Sequence, residues 1–138
     1  MQIKGSCHCG NIEFEMDWHG HVDALKGRAC GCEFCRMHGA VWTSHPAVTV
    51  EAEMHSADDI IHYQFGHKTA TFHICARCGI VALASYGNED QRVAVVNINT
   101  FTSIDRDDIE CGDTDFDAET VDARLERRLR NWSPLCWK

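Results

Sequence analysis

The stretch Thr71-Phe72-His73-Ile74-Cys75-Ala76-Arg77-Cys78-Gly79 reads as a strand that runs into a C-x-x-C turn. Two intervening residues bend the chain so that both sulfurs face one point, and the glycine permits the positive φ with which the backbone leaves such a turn. Near the N-terminus, Cys7-His8-Cys9-Gly10 has the same trailing glycine. Alternate residues of an extended segment point to one face, so Cys7 and Cys9 form a second pincer. Together the two pairs make a four-thiolate tetrahedral site, the donor set of structural zinc. Such a site would clamp the N-terminal strand to a hairpin about seventy residues away, a long closure from which a small β domain gains.

Outward from this turn the chain is mostly strand-like. Ile12–Met16, Val48–Ala52 and Thr71–Ile74 alternate apolar and polar residues, Ile60–Phe65 does so more loosely, and these read as half-buried strands. Ile80–Ala84 and Val93–Ile98 are continuous apolar runs rich in β-branched residues, the mark of central strands covered on both faces. The expected fold is a mainly β, mainly antiparallel domain. One segment departs from it. From Asp117 the chain places Ala118, Val121, Leu125, Leu129 and Trp132 on one helical face, with Glu119 and Asp122 early and Arg127, Arg128 and Arg130 late, as the helix dipole favours. This predicts a C-terminal amphipathic helix that ends before Pro134 and docks on the sheet, or else forms a homo-oligomer contact or a cover over a pocket. Cys136 and Trp137 lie in an apolar tail suited to either role.

With 138 residues, two prolines and no low-complexity linker, the chain suits one domain. We divide it into a zinc-binding β domain over 1–116 and a helix and tail over 117–138 packed on it. Hydrophobic residues make up 44% and charged residues 25%, and no apolar stretch approaches the roughly 18 residues of a membrane span. The N-terminus has no apolar leader, so a soluble, cytoplasmic protein without a membrane partner is expected. Nine cysteines are an odd number, and their tight clustering favours metal over disulfides. The formal charge is −8, to which a Zn²⁺ held by four thiolates adds −2 and one held by three adds −1. Such a chain repels phosphate backbones and is not expected to bind nucleic acid, and an anionic substrate would need a local cation.

Cys30-Gly31-Cys32-Glu33-Phe34-Cys35 supplies three more sulfurs within six residues. Gly31 is expected to let the backbone fold tightly between the first two. Three thiolates on one zinc leave a tetrahedral position for an exogenous ligand, as a reactive ion requires. An incoming thiol there would be held as a thiolate, ready to attack a carbonyl carbon. Spacing leaves another assignment open, in which His38, His8 or His73 completes a closed structural site.

These motifs resemble one family, the glutathione-dependent formaldehyde-activating enzymes, whose domain is the zinc-binding β-tent, or Mss-four-like, fold. The resemblance rests on Gly5-Ser6-Cys7-His8-Cys9-Gly10, on Cys30-x-Cys32-x-x-Cys35-Arg36 with Gly39 beyond, and on Cys75-x-x-Cys78-Gly79, over about residues 3–105. It implies Cys7, Cys9, Cys75 and Cys78 as ligands of a structural zinc. Cys30, Cys32 and Cys35 are then ligands of a second zinc and the catalytic residues. The implied reaction is that of a carbon-sulfur lyase, joining formaldehyde and glutathione reversibly to S-hydroxymethylglutathione. Gly31 and Glu33 stand where the family often has a polar residue and a serine. The alternative is a non-catalytic zinc module that carries glutathione or docks a protein partner, with a redox switch at the trio as a third reading.

Arg36, next to the third sulfur, is the candidate for the carboxylate of glutathione, with Lys26, Arg28, His67 and Lys68 as further cations. His38 and His73 are candidates for proton transfer, and Trp42, Phe34 and Phe72 for pocket walls. Cys111 and Cys136 match no motif and read as packing residues.

Overall fold

Strand β9 (Arg92–Asn97) organises the sheet, because its Val93-Ala94-Val95-Val96 run is buried on both faces. The chain is described by a computed structural model that covers residues 1–116 and 118–138. One edge of β9 pairs antiparallel with β8 (Val81–Gly87) along its length. The other edge is shared. Val96 and Asn97 pair with β4 (Val41–Thr43), while Val93 and Ala94 pair with β11 (Ser133–Trp137). β11 then leaves β9, and Leu135 to Trp137 run parallel to β5 (Val50–Met54). Beyond β5 come β2 (Ile12–Asp17) and β1 (Gln2–Ser6). From β4 the sheet continues through β3 (Gly27–Cys30) to the parallel β10 (Cys111–Thr114), and from β8 through β7 (Thr71–Cys75) to β6 (Ile60–Tyr63). The branches splay from β9 as a mainly β tent, as expected, with two parallel pairs in it.

This branching creates two apolar layers. Ala94 and Val96 of β9 join Ile3, Phe14, Met16, Trp18 and Val50 in the larger one, which also holds Cys7 and Cys75. Val93 and Val95 face the other way, among Cys35, Trp42, Phe72 and Trp132. Each fully buried Val, Phe or Met contributes about 1.5–3 kcal/mol, so the continuous apolar run of β9 stabilises both layers at once. The register of β1 on β2 sets Gly5 opposite Phe14. A Cβ at Gly5 would lie 2.2 Å from the Phe14 ring, whose own exposure is only 2%. Gly5→Ala is therefore expected to destabilise by about 1–3 kcal/mol through overpacking, read as a lowered midpoint in thermal or urea unfolding.

Two helices complete the chain, α1 (Glu33–His38) and α2 (Val121–Asn131). The expected start of the second at Asp117 lies outside the described residues, and Ala118 is exposed and precedes the helix. Thr120 sets the start instead, because its side chain accepts the Ala123 N–H at 3.1 Å and so caps the helix. The apolar stripe is only partly covered, with Trp132 buried and Leu129 37% exposed. The tail is a strand inside the sheet. Pro134 is tolerated there because it sits at the strand's beginning. Val48 lies outside β5, its N–H closing a turn onto the His45 carbonyl at 3.0 Å. None of the described helices is long and apolar enough to cross a membrane.

Candidate metal centres and the adjoining cavity

Two hairpin corners meet in the first cluster. Cys7 and Cys9 lie between β1 and β2, Cys75 ends β7, and Cys78 lies between β7 and β8. Their four sulfurs all lie within 4.8 Å of one another. Cys7 Sγ is 3.8 Å from Cys9 Sγ, which is 3.5 Å from Cys75 Sγ. A tetrahedral zinc with bonds of about 2.3 Å has sulfur edges of about 3.8 Å, so the spacing and the donor set both fit one such ion. All four thiols are free. Gly10 and Gly79 have φ of 86° and 79°, the left-handed turn exits anticipated after each pair. Backbone N–H groups favour charge on sulfur here. Burial pushes the Cys75 thiol up, but the Cys78 and Arg77 amides and the neighbouring thiols outweigh it and bring it to about 6. Burial dominates at Cys7 and raises it to about 11.

Cys30, Cys32 and Cys35 form the second cluster, again within 4.8 Å of one another. Cys30 ends β3. Cys32 is the N-cap of α1, its sulfur accepting the Cys35 N–H at 3.5 Å, and Cys35 lies in the first turn. The segment expected as a plain C-x-x-C turn is thus a short helix capped by a thiol. Gly31 has no positive φ, and a Cβ there would make only an ordinary contact of 3.4 Å with the Thr114 carbonyl, so the tight fold expected of it is not required. Trp42 Nε1–H donates to Cys35 Sγ at 3.3 Å and fixes that sulfur. Hydrogen bonds from the Cys30 and Cys35 thiols draw Cys32 down to about 2, and the same sharing drives Cys30 and Cys35 up.

The histidines considered as a fourth ligand are engaged elsewhere or exposed. His38 packs on Phe34 with ring centroids 4.6 Å apart. His73 bonds to His62 at 3.1 Å and Ser85 at 2.8 Å, and burial lowers it to about 4. His8 is exposed. A third grouping, Glu13, Glu53 and His55, is an exposed ion-pair network across β2 and β5.

All three sulfurs of the trio line a cavity of about 200 Å³. Trp42 and Phe72 form walls of it, as expected, and Phe34 packs behind, 4.5 Å from the Phe72 ring. Among the candidate cations, Arg28 and His67 line the cavity. Arg36 projects from the exposed side of α1 and does not. The opposite wall is α2, through Arg124, Arg127, Arg128 and Trp132. Arg127 and Arg128 were read from sequence only as complements to the helix dipole, and Arg124 was not singled out. The available signal was their spacing, which sets 124 and 128 on the helical face of Trp132.

A family model for glutathione-dependent formaldehyde-activating enzymes matches residues 2–115. The chain belongs to that family. Formaldehyde activation with glutathione is thus the activity of the family, and the two cysteine clusters are groups that could hold metal ions within it. Among solved structures the chain is similar to a crystal structure of a Rhodobacter sphaeroides protein, a structural-genomics target. It is 29% identical with a TM-score of 0.58, covering 79% of this chain and 99% of that one. No curated protein matches the chain. The matched segment of this formaldehyde-activating family member ends before α2.

Proposed function

We propose that the protein is a zinc-dependent carbon-sulfur lyase that joins glutathione and formaldehyde reversibly to S-hydroxymethylglutathione. Cys7, Cys9, Cys75 and Cys78 hold a structural zinc, and Cys30, Cys32 and Cys35 hold the reactive one. The observation that carries the reading is that the trio, and not the four-sulfur cluster, faces the cavity.

A zinc held by Cys30, Cys32 and Cys35 would supply the Lewis acidity that activates a thiol substrate. The residues around it do the rest. Trp42 steadies the Cys35 sulfur, and the α1 amides that meet Cys32 keep its charge in place. Ala70, Phe72, Ala84 and Val95 give the cavity an apolar floor that limits water around the reacting carbonyl. In the forward direction the C–S bond forms as the carbonyl π pair moves onto oxygen, which takes the proton released by the thiol. No electron is gained or lost overall.

Elemental analysis of the purified protein should find about two zinc per chain. With cobalt in the second site, glutathione should shift the visible absorption, and formaldehyde exchange should depend on the thiol. One ion per chain, or an unchanged cobalt spectrum at millimolar glutathione, overturns the reading.

A further inference from the structure

The cavity beside the trio is lined by four arginines, Arg28, Arg124, Arg127 and Arg128, and by no aspartate or glutamate among the described residues. The chain as a whole carries −8. Arg28 reaches the site because alternate residues of β3 share a face, which puts it on the side of Cys30. Arg124, Arg127 and Arg128 are spaced three and four apart and so share one face of α2.

Glu119 grips Arg127 through two bonds of 2.9 and 3.0 Å and lies 3.7 Å from Arg124. Arg127 also stacks on Phe116, 3.7 Å from the ring centre. Arg128 donates to the Thr69 hydroxyl at 2.7 Å, and its Nε is buried without a partner among the described residues. Arg28 donates to the Ser44 hydroxyl at 2.7 Å. Burial and the neighbouring Arg124 and Arg127 push Arg128 down to about 10, and burial with Arg127 lowers Arg28 too. Four guanidiniums thus crowd a half-buried setting in which a charge is costly unless an opposite one meets it. Like charges gathered at a cavity in this way mark a candidate binding site.

We propose that Arg128, Arg28 and Arg124 receive the carboxylates of the thiol substrate, so that the site selects a dicarboxylate thiol over an uncharged one. The inference rests on the function proposed above and adds the specificity element. Glutathione carries two carboxylates, each of which a guanidinium can meet. Guanidiniums suit this task because their planar fork meets a carboxylate with two parallel bonds. They also give a net-negative protein a local field that draws an anion to the trio.

The test compares ligands on the zinc-loaded full chain, with binding followed by calorimetry or by the fluorescence of Trp42 and Trp132. S-methylglutathione has both carboxylates but a blocked sulfur, glutathione diethyl ester has the sulfur without the carboxylates, and 2-mercaptoethanol is an uncharged thiol. Arg128→Gln should weaken glutathione and S-methylglutathione about tenfold to a hundredfold, the scale of a charged hydrogen bond, and leave 2-mercaptoethanol unchanged. Arg128→Lys should recover part of the loss, and salt should weaken only the carboxylate ligands. Should Arg128→Gln not fold, Arg124→Gln carries the same comparison, since Arg124 also lines the cavity and pairs with Glu119 and the Phe116 carbonyl at the surface of α2. The inference fails if the diester binds as tightly as the free acid, or if the variants lose charged and uncharged thiols alike. If no thiol engages the trio while S-methylglutathione still binds through the arginines, the lyase reading falls and the carboxylate site stands.

Discussion

Cys75→Ser is expected to unfold the protein at temperatures where the wild type is fully folded. Its sulfur belongs to the four-thiolate cluster and is 0% exposed, as Cys7 is at 1%. Removing one ligand would leave three thiols, one of them buried, at a corner that can no longer hold its ion. The binding free energy of a structural zinc is folding free energy, about 10–16 kcal/mol in small metal-dependent folds, against a total stability of about 5–15 kcal/mol for a domain.

The topology explains why no other contact can take over. β1 and β2 lie at one end of the strand path, two strands away from β11, while β7 and β8 are on the far side of β9. Cys9 and Cys75, 66 residues apart, close the loop between these hairpins. Without them the hairpins still share apolar side chains of the larger layer, such as Phe14 and Leu83. Zinc content, near-ultraviolet circular dichroism and thermal unfolding measure the outcome. Cys136→Ser is the control, because that thiol is exposed and surface changes of this kind stay within about 0.5 kcal/mol. A Cys75→Ser protein melting within about 4 °C of wild type would show that the cluster contributes under about 1 kcal/mol and would refute the clamp.

The division of seven cysteines into four and three was legible because metal ligation is a local signal. A C-x-C or C-x-x-C spacing constrains its own sulfurs whatever the rest of the chain does. The same holds for the long apolar strands β8 and β9, whose runs announce burial on both faces. Elements whose reason lies elsewhere in the fold were not legible. β3, β4 and β10 have four, three and four residues, too few for a period to show. β11 was read as a tail because Pro134 marks a helix end in sequence, whereas its strand character comes from the gap that β9 and β5 leave between them. α1 was hidden because its N-cap is Cys32, a residue type that carries no helix-start signal. The arginine wall was the least legible feature. Arg28 and the α2 arginines are about a hundred residues apart and become one group only when β3 and α2 flank the cavity. Arg36 looked favourable because it adjoins Cys35 in sequence, yet the turn of α1 carries it to the exposed side.

Cys32→Ser is expected to abolish turnover while leaving the fold intact, which makes it the counterpart of Cys75→Ser. The local geometry argues for the intact fold. Cys32 is half-buried and caps α1 by accepting the Cys35 N–H, and a serine hydroxyl is among the best groups for that role. Its neighbours on β3 and the Trp42 bond to Cys35 are untouched by the change. The chemistry argues for the loss. Cys32 is one of three sulfurs within 4.8 Å of one another, so replacing it by a neutral oxygen leaves two to grip an ion. Two remaining thiolates make a poor zinc site, and metal content should fall from about two ions per chain to about one. Glutathione-dependent formaldehyde turnover should fall at least about a thousandfold, the scale on which removing one member of a catalytic unit acts. The melting profile should stay close to wild type because the four-thiolate clamp is unaffected. Global unfolding of this variant would make the trio a second structural site and favour a binding module. Retained turnover with one ion per chain would move the reaction away from the trio altogether.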